Sequence, residues 1–266
     1  MFEKIFRLPF AEGVRGSRVK ERLDAIVLRK GWASSREEAA LLIGDGRVRV
    51  NALVRTDPET RAEFDRVECD SRETGSRYAG RGGLKLEGAL DFFSIIPEGK
   101  RLVDMGASTG GFTDCLLQRG ARSVTAVDVG RGLIDLRLRN DPRVVLVEGA
   151  NVRFPGPWMP ADPVDGVVAD LSFISLRQVL PQVSYLLRKG GWFLALVKPQ
   201  FEASPDRVEK GGIVRDPSAI RLVLRGFVKD LVREKGFPRG IFPSGIKGRK
   251  RGNQEYFCLA RWKGRN

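Results

Sequence analysis

Asp104-Met105-Gly106-Ala107-Ser108-Thr109-Gly110-Gly111-Phe112 ends the short apolar run 101–105 and leads into a helical pattern over 110–119. Glycines at such a junction let the backbone turn sharply and come close to a ligand before a helix begins. Outward from this turn, short apolar runs alternate with helical stretches. Strands are expected at 101–105, 123–129, 144–148, 165–169, 192–198 and 253–262, with helices at 110–119, 175–188 and 218–235 between them. That alternation predicts an α/β domain, a mostly parallel sheet with both faces covered.

In such a sheet, ligands bind at the carboxyl ends of the strands. The second strand ends in Asp128, where a carboxylate can accept bonds from ribose hydroxyls, and Val129 follows it. Asp104 is an acid at the end of the first strand. It suits a cofactor that carries an amino group and a sulfonium cation but no phosphate, namely S-adenosyl-L-methionine. Asn151, after the third strand, is placed to meet an adenine edge, and Asp170-Leu171 ends the fourth. The predicted cofactor contacts are Asp104, Gly106, Ala107, Ser108, Thr109, Gly110, Gly111, Phe112, Asp128, Val129, Asn151, Asp170 and Leu171. Two other readings stay open. Asp104 would merely cap the turn, or the turn would hold a dinucleotide, although its spacing is Gly-x-Ser-x-Gly-Gly and not Gly-x-Gly-x-x-Gly.

Upstream the pattern changes. Residues 1–18 lack a clear period and read as a flexible arm. Val19, Leu23, Ile26 and Val27 recur at helical spacing, and Gly31 stops that helix. Ser35-Arg36-Glu37-Glu38 is a capping-box pattern that opens a second helix. Arg47-Val48-Arg49-Val50 alternates as a half-exposed strand does, and Asn51 supplies a turn. Residues 19–74 therefore read as a small α+β domain. The Gly- and Arg-rich stretch 75–84 reads as a linker, and 85–266 as the larger domain.

Composition narrows the function. The 266 residues contain no histidine, which removes Ser-His-Asp hydrolysis, His-ligated metals and the usual general base. Chemistry must run on Lys, Asp, Glu, Ser or Tyr. Cys69, Cys115 and Cys258 are widely separated and form no metal or disulfide pattern. No metal is expected. No run approaches the roughly 18 apolar residues of a membrane span, nothing at the amino end reads as an export signal, and a cytoplasmic protein without membrane contact is expected. Net charge is +14, which suggests a polyanionic partner, a solubility role being the plainer reading. Oligomeric state is not legible.

Two resemblances sharpen this. Arg22-Leu23-Asp24, Gly31, Ser35-Arg36 with Ala39, and Gly46-x-Val48-x-Val50-Asn51 resemble the RNA-binding domain first described in ribosomal protein S4. With that fold, arginines on two helices and a hairpin contact phosphates, which positions RNA without reading its sequence. Further along, five segments resemble the TlyA family, "hemolysin"-named proteins similar to FtsJ-type rRNA 2′-O-methyltransferases. They are Arg81-Gly82-Gly83-Leu84-Lys85-Leu86, the turn 104–112, Ala169 to Ser175, Leu196 to Glu202, and Gly252-Asn253-Gln254-Glu255-Tyr256-Phe257. The resemblance implies a Rossmann-like S-adenosylmethionine-dependent methyltransferase domain with an antiparallel carboxyl-terminal strand. It implies methylation of ribose, in cytidine of ribosomal RNA, on ribosomal subunits. Its Lys-Asp-Lys-Glu tetrad falls on Lys85, Asp170, Lys198 and Glu255. RNA contacts are expected from Arg22, Arg29, Lys30, Arg36, Arg47, Arg49, Arg81, Lys247, Arg249, Lys250 and Arg251.

A ribose 2′-hydroxyl is a poor nucleophile, so a site must orient it and favour loss of its proton. Lys198, at a strand end, serves either to stabilise the developing alkoxide or as the base. Asp170 favours the first by keeping lysine charged, and the base stays open. Asp170 and Glu255 are expected to orient the lysines and the ribose. A non-catalytic ribosome-binding factor and a membrane-active hemolysin are the rival readings.

Overall fold

The computed structural model describes residues 20–30, 32–33, 35–44, 46, 48–51, 53–69, 77–246 and 253–263. The arm 1–18, the stop at Gly31, Arg47 and the basic run Lys247 to Arg251 lie outside them. The chain divides into two compact units, 1–71 and 72–266.

The first unit holds β1 (Lys20–Arg22), α1 (Leu23–Arg29), α2 (Arg36–Gly44), β2 (Val48–Val50), β3 (Leu53–Arg55), β4 (Arg61–Glu63) and β5 (Val67–Cys69). β2 pairs antiparallel with β3 and β5, and Asn51 turns the hairpin with a left-handed φ of 51°. Leu23, Ile26, Val27, Ala39 and Ile43 from the two helices meet Val48, Val50 and Val67 in one core. The helical spacing starting at Val19 overreaches. Lys20–Arg22 pair with β4 as a strand, and the helix begins at Leu23, whose N–H is bonded to the Thr60 carbonyl.

The second unit is a seven-stranded sheet in the order β11-β12-β10-β9-β6-β7-β8. Its strands are β6 (Arg101–Met105), β7 (Ser123–Asp128), β8 (Val144–Glu148), β9 (Val164–Ala169), β10 (Leu187–Val197), β11 (Gly236–Pro243) and β12 (Tyr256–Trp262). β6 to β10 run parallel, while β12 lies antiparallel between β10 and β11. Covering it are α3 (Arg81–Phe92), α4 (Gly111–Gln118), α5 (Leu136–Arg139), α6 (Leu180–Leu186), α7 (Pro199–Glu202) and α8 (Pro217–Arg233). Alternate strand residues point to opposite faces. Val167, Ala195 and Cys258 pack under α6 and α8, whereas Val168, Leu194 and Phe257 pack under α3 and α4.

Three expectations change. β11 was not anticipated, because Pro238, Gly240 and Pro243 interrupt its pattern. As the last strand of the sheet it tolerates prolines that an inner strand would not. The helix expected over 175–188 is a 3-10 turn (Leu176–Val179) followed by α6, and β10 begins at Leu187. The stretch 75–84 is not all linker. Tyr78 is buried and Arg81 to Leu84 form the first turn of α3. The glycines there serve close packing: a Cβ on Gly83 would lie 2.4 Å from Tyr78, and one on Gly82 3.2 Å from the Phe112 ring.

Candidate functional site

The site is assembled at the carboxyl edge of the parallel strands. As β6 ends, Gly106 adopts a φ of +86°, and a Cβ there would lie 2.8 Å from the Asp170 carbonyl oxygen. Gly110 caps α4 at φ +93°, where a Cβ would lie 2.3 Å from Leu138. Both positions require glycine on two grounds, backbone conformation and space. Between them Ser108 donates its N–H to Asp128 Oδ2 at 2.8 Å, and Gly130 donates to Asp128 Oδ1 at 2.8 Å. The turn is thereby tied to the end of β7. Asn151 Oδ1 accepts from the Arg153 backbone at 3.1 Å. Ala107 and Leu171 are buried, and Val129 is exposed at the rim. Phe112 is different: its ring is buried against Phe257, so only its backbone faces the turn.

Asp104 is fully buried. Its Oδ2 accepts from Thr113 Oγ1 at 2.7 Å, while Oδ1 has no hydrogen-bond partner among the described residues. Burial, with the nearby charges of Asp170 and Asp128 adding to it, pushes this carboxyl up to about 7, against the Thr113 bond. A buried carboxylate with an orphan oxygen fits a cationic ligand group, and the amino group of S-adenosylmethionine is one.

Beside it stand two buried ion pairs. Lys198 Nζ lies 2.6 Å from Asp170 Oδ1 and donates to Ser172 Oγ at 2.8 Å. Lys85 Nζ, on α3, donates to Glu255 Oε2 at 2.6 Å. Register explains the grouping. Ala195 pairs with Ala169 and Val197 with Tyr256, so Lys198, Asp170 and Glu255 emerge at the ends of adjacent strands. The four residues anticipated as a tetrad are thus two pairs, far apart in sequence.

Two further residues were missed. Ser172 holds Lys198. Glu202 accepts from Ser175 Oγ and from the Leu176 N–H, both at 2.6 Å, clamping the loop after Asp170 to the helix after Lys198. Burial raises the Glu202 carboxyl above its ordinary value, opposed by these bonds. Both lie inside motifs noted in the sequence, but no spacing rule signals such a clamp.

The expected RNA contacts are unequal. Arg22 pairs with Asp24 at 2.8 Å and Glu59 at 3.0 Å, and Arg29 pairs with Glu21 at 3.0 Å. Lys30 donates to the Val67 carbonyl and lies over the Phe64 ring. These groups brace their own unit. Arg36, Arg49 and Arg81 are exposed.

An open α/β sheet with one inserted antiparallel strand, a glycine turn and this carboxylate-and-lysine edge defines a Rossmann-like methyltransferase. Residues 78–262 match the FtsJ-like methyltransferase family and residues 21–67 the S4 domain. A Mycobacterium tuberculosis protein named 16S/23S rRNA (cytidine-2′-O)-methyltransferase TlyA is 43% identical, over 91% of this chain and 90% of its own. Hemolysin A of Brachyspira hyodysenteriae is 40% identical, over 89% and 98%. A solved hemolysin-named structure from Streptococcus thermophilus superposes with a TM-score of 0.69 at 36% identity, over 92% and 89%. The chain belongs to the FtsJ-like methyltransferase family, in the group that contains the TlyA proteins. Among the described residues, no helix is long and apolar enough to cross a membrane, and no group of three or more acidic or thiol side chains is arranged to hold a metal ion.

Proposed function

We propose that this protein transfers a methyl group from S-adenosylmethionine to ribose 2′-hydroxyls of cytidine in ribosomal RNA, acting on ribosomal subunits in the cytoplasm. The observation that carries this reading is the pair of buried lysine–carboxylate contacts beside the glycine turn and the orphan oxygen of Asp104. The activity for which the Mycobacterium tuberculosis relative is named and the S4 match support the substrate class.

S-adenosylmethionine supplies an electrophilic methyl group when bound. Asp104 would hold its amino group, Asp128 its ribose and Asn151 its adenine edge, with the backbone from Gly106 to Phe112 available to it. Lys198, paired with Asp170 and fixed by Ser172, would stabilise the 2′-oxygen as it takes the methyl group from sulfur and its proton passes to solvent water. Lys85, held by Glu255, supplies a second cation to the same pocket. Fixing the hydroxyl in line lowers the barrier by several kcal/mol, about 7 at the lower end for well-oriented reactants. Because both lysines are already paired, their part is electrostatic and positional.

The test is transfer of labelled methyl to unmodified ribosomal subunits, followed by nucleoside analysis. Label is expected in 2′-O-methylcytidine. Cofactor binding without transfer to either subunit would favour a non-catalytic ribosome-binding factor. Dye release from vesicles at low protein concentration would favour a membrane-active hemolysin.

A further inference from the structure

Outside the site, the strongest unassigned feature is the solvent face of α8. Its inner face, Val223, Phe227 and Leu231, is buried in the sheet core. Its outer face carries Arg221, Arg225 and Lys229 at successive i, i+4 positions, all exposed. No ion pair or hydrogen bond engages these three side chains among the described residues. The helix's own acid does not relieve them. Asp230 is buried, and it is taken by Arg177 at 2.9 Å and Arg233 at 2.6 Å. The N-cap Asp216 is bonded to the Ser218 and Ala219 N–H groups and to the Ser218 hydroxyl.

Like charges four residues apart on a helix repel each other. A row of three, with no carboxylate between them, is relieved only by counterions or by a polyanion. The row is also well placed. Val214, two residues before the cap of α8, donates to Asn253 Oδ1 at 3.0 Å, and Asn253 precedes Glu255 by two. α8 therefore starts at the edge of the sheet that carries the ion pairs. It runs to the other edge, where Gly236 pairs with Trp262. Arg221 stands nearest the site, and each further cation is about 6 Å along the axis.

We propose that this face of α8 is a track for the phosphates of one RNA strand leading away from the target nucleotide. The proposal rests on the RNA-methylation reading above and adds three residues to it. An anionic membrane is the competing partner for a basic helix. A helix that binds a bilayer inserts a continuous apolar face; α8 buries its own against the sheet, and its outer face offers only Leu222 and Val232, set among the cations.

The test uses the full chain and unmodified ribosomal subunits. Arg221→Gln, Arg225→Gln and Lys229→Gln are combined and compared with a charge-matched control, Lys100→Gln, Arg122→Gln and Lys189→Gln, at the amino ends of the strands. Binding is measured from 50 to 200 mM salt. Each phosphate contact contributes roughly 0.7 to 0.9 to the slope of log affinity against log salt. Wild type should therefore lose about 20- to 40-fold more affinity over that range than the α8 variant, and the control should follow wild type. Equal slopes for the α8 variant and wild type, in a preparation whose wild type transfers methyl, would overturn the track and leave the methylation reading standing. No methyl transfer and no subunit binding by wild type would remove both. Loss of binding to anionic vesicles, with RNA binding unchanged, would assign the face to membranes instead.

Discussion

Ion pairs occur in both units, and their surroundings differ. In the amino-terminal unit Arg22 and Arg29 keep about half of their side chains in water while they hold Asp24, Glu59 and Glu21. At the carboxyl edge of the large sheet, Lys198, Lys85 and Glu255 keep a tenth or less, and Asp170 about a fifth. Exposed pairs are screened and contribute little. Buried pairs cost desolvation on both sides, and removing one partner strands the other. Cations set among buried carboxylates at the end of a sheet are therefore poorly explained by stability. They are well explained by a pocket that must present fixed charge to a reacting oxygen.

The largest test of that contrast is Lys198→Ala. Transfer is expected to fall by about 10²- to 10³-fold, with cofactor affinity nearly unchanged by calorimetry. A tenfold weaker cofactor would move Lys198 into the cofactor pocket. Next comes the second pair. Glu255→Ala leaves Lys85 buried alone and should cost about 3 kcal/mol in denaturant unfolding. Lys85→Met combined with Glu255→Leu should recover most of that stability and none of the transfer. If the double variant stays as unstable as the single one, the pair is scaffold.

A smaller effect concerns Asp104. The unfolded chain loses this proton near the ordinary carboxyl value of 3.8, the folded one at about 7. Stability from the buried acid is therefore present below about pH 4 and is lost as pH rises to about 7. A cationic ligand reverses the preference, so cofactor affinity should rise between pH 5.5 and 7.5 and then level off. Asp104→Asn should bind weakly with no such rise, and a wild type that binds equally across the range would contradict the assignment. The smallest change is expected from Arg22→Gln. It should lower the melting temperature of the amino-terminal unit by a few degrees at neutral pH, with the salt slope for RNA binding unchanged. A slope smaller by about 0.7 to 0.9, the share of one phosphate contact, would return Arg22 to the RNA surface.

Much of this was legible beforehand. The turn 104–112 stands at the end of a strand, and β6 and β8 match their expected limits, because alternation and glycine chemistry are local. The amino end of α1, the edge strand β11 and the start of α3 were not legible. In each, a partner distant in sequence sets the conformation: Glu63 for Lys20, Leu259 for Gly240, and Phe112 for Gly82. Motif resemblance named the four tetrad residues. Charge complementarity already set Asp170 beside Lys198; the Lys85–Glu255 pair and the clamp by Glu202 were not legible.

The sequence by itself determined the alternating architecture, the glycine turn, the absence of histidine and the identity of the charged residues at the strand ends, since these depend on local pattern and composition. Tertiary structure decided which paired cations stand in water and which are shut into a buried site. Arg22 and Lys198 are each one basic residue in a sequence. Only the carboxylates folded against them, and the water excluded around one and not the other, separate a brace from a reacting site.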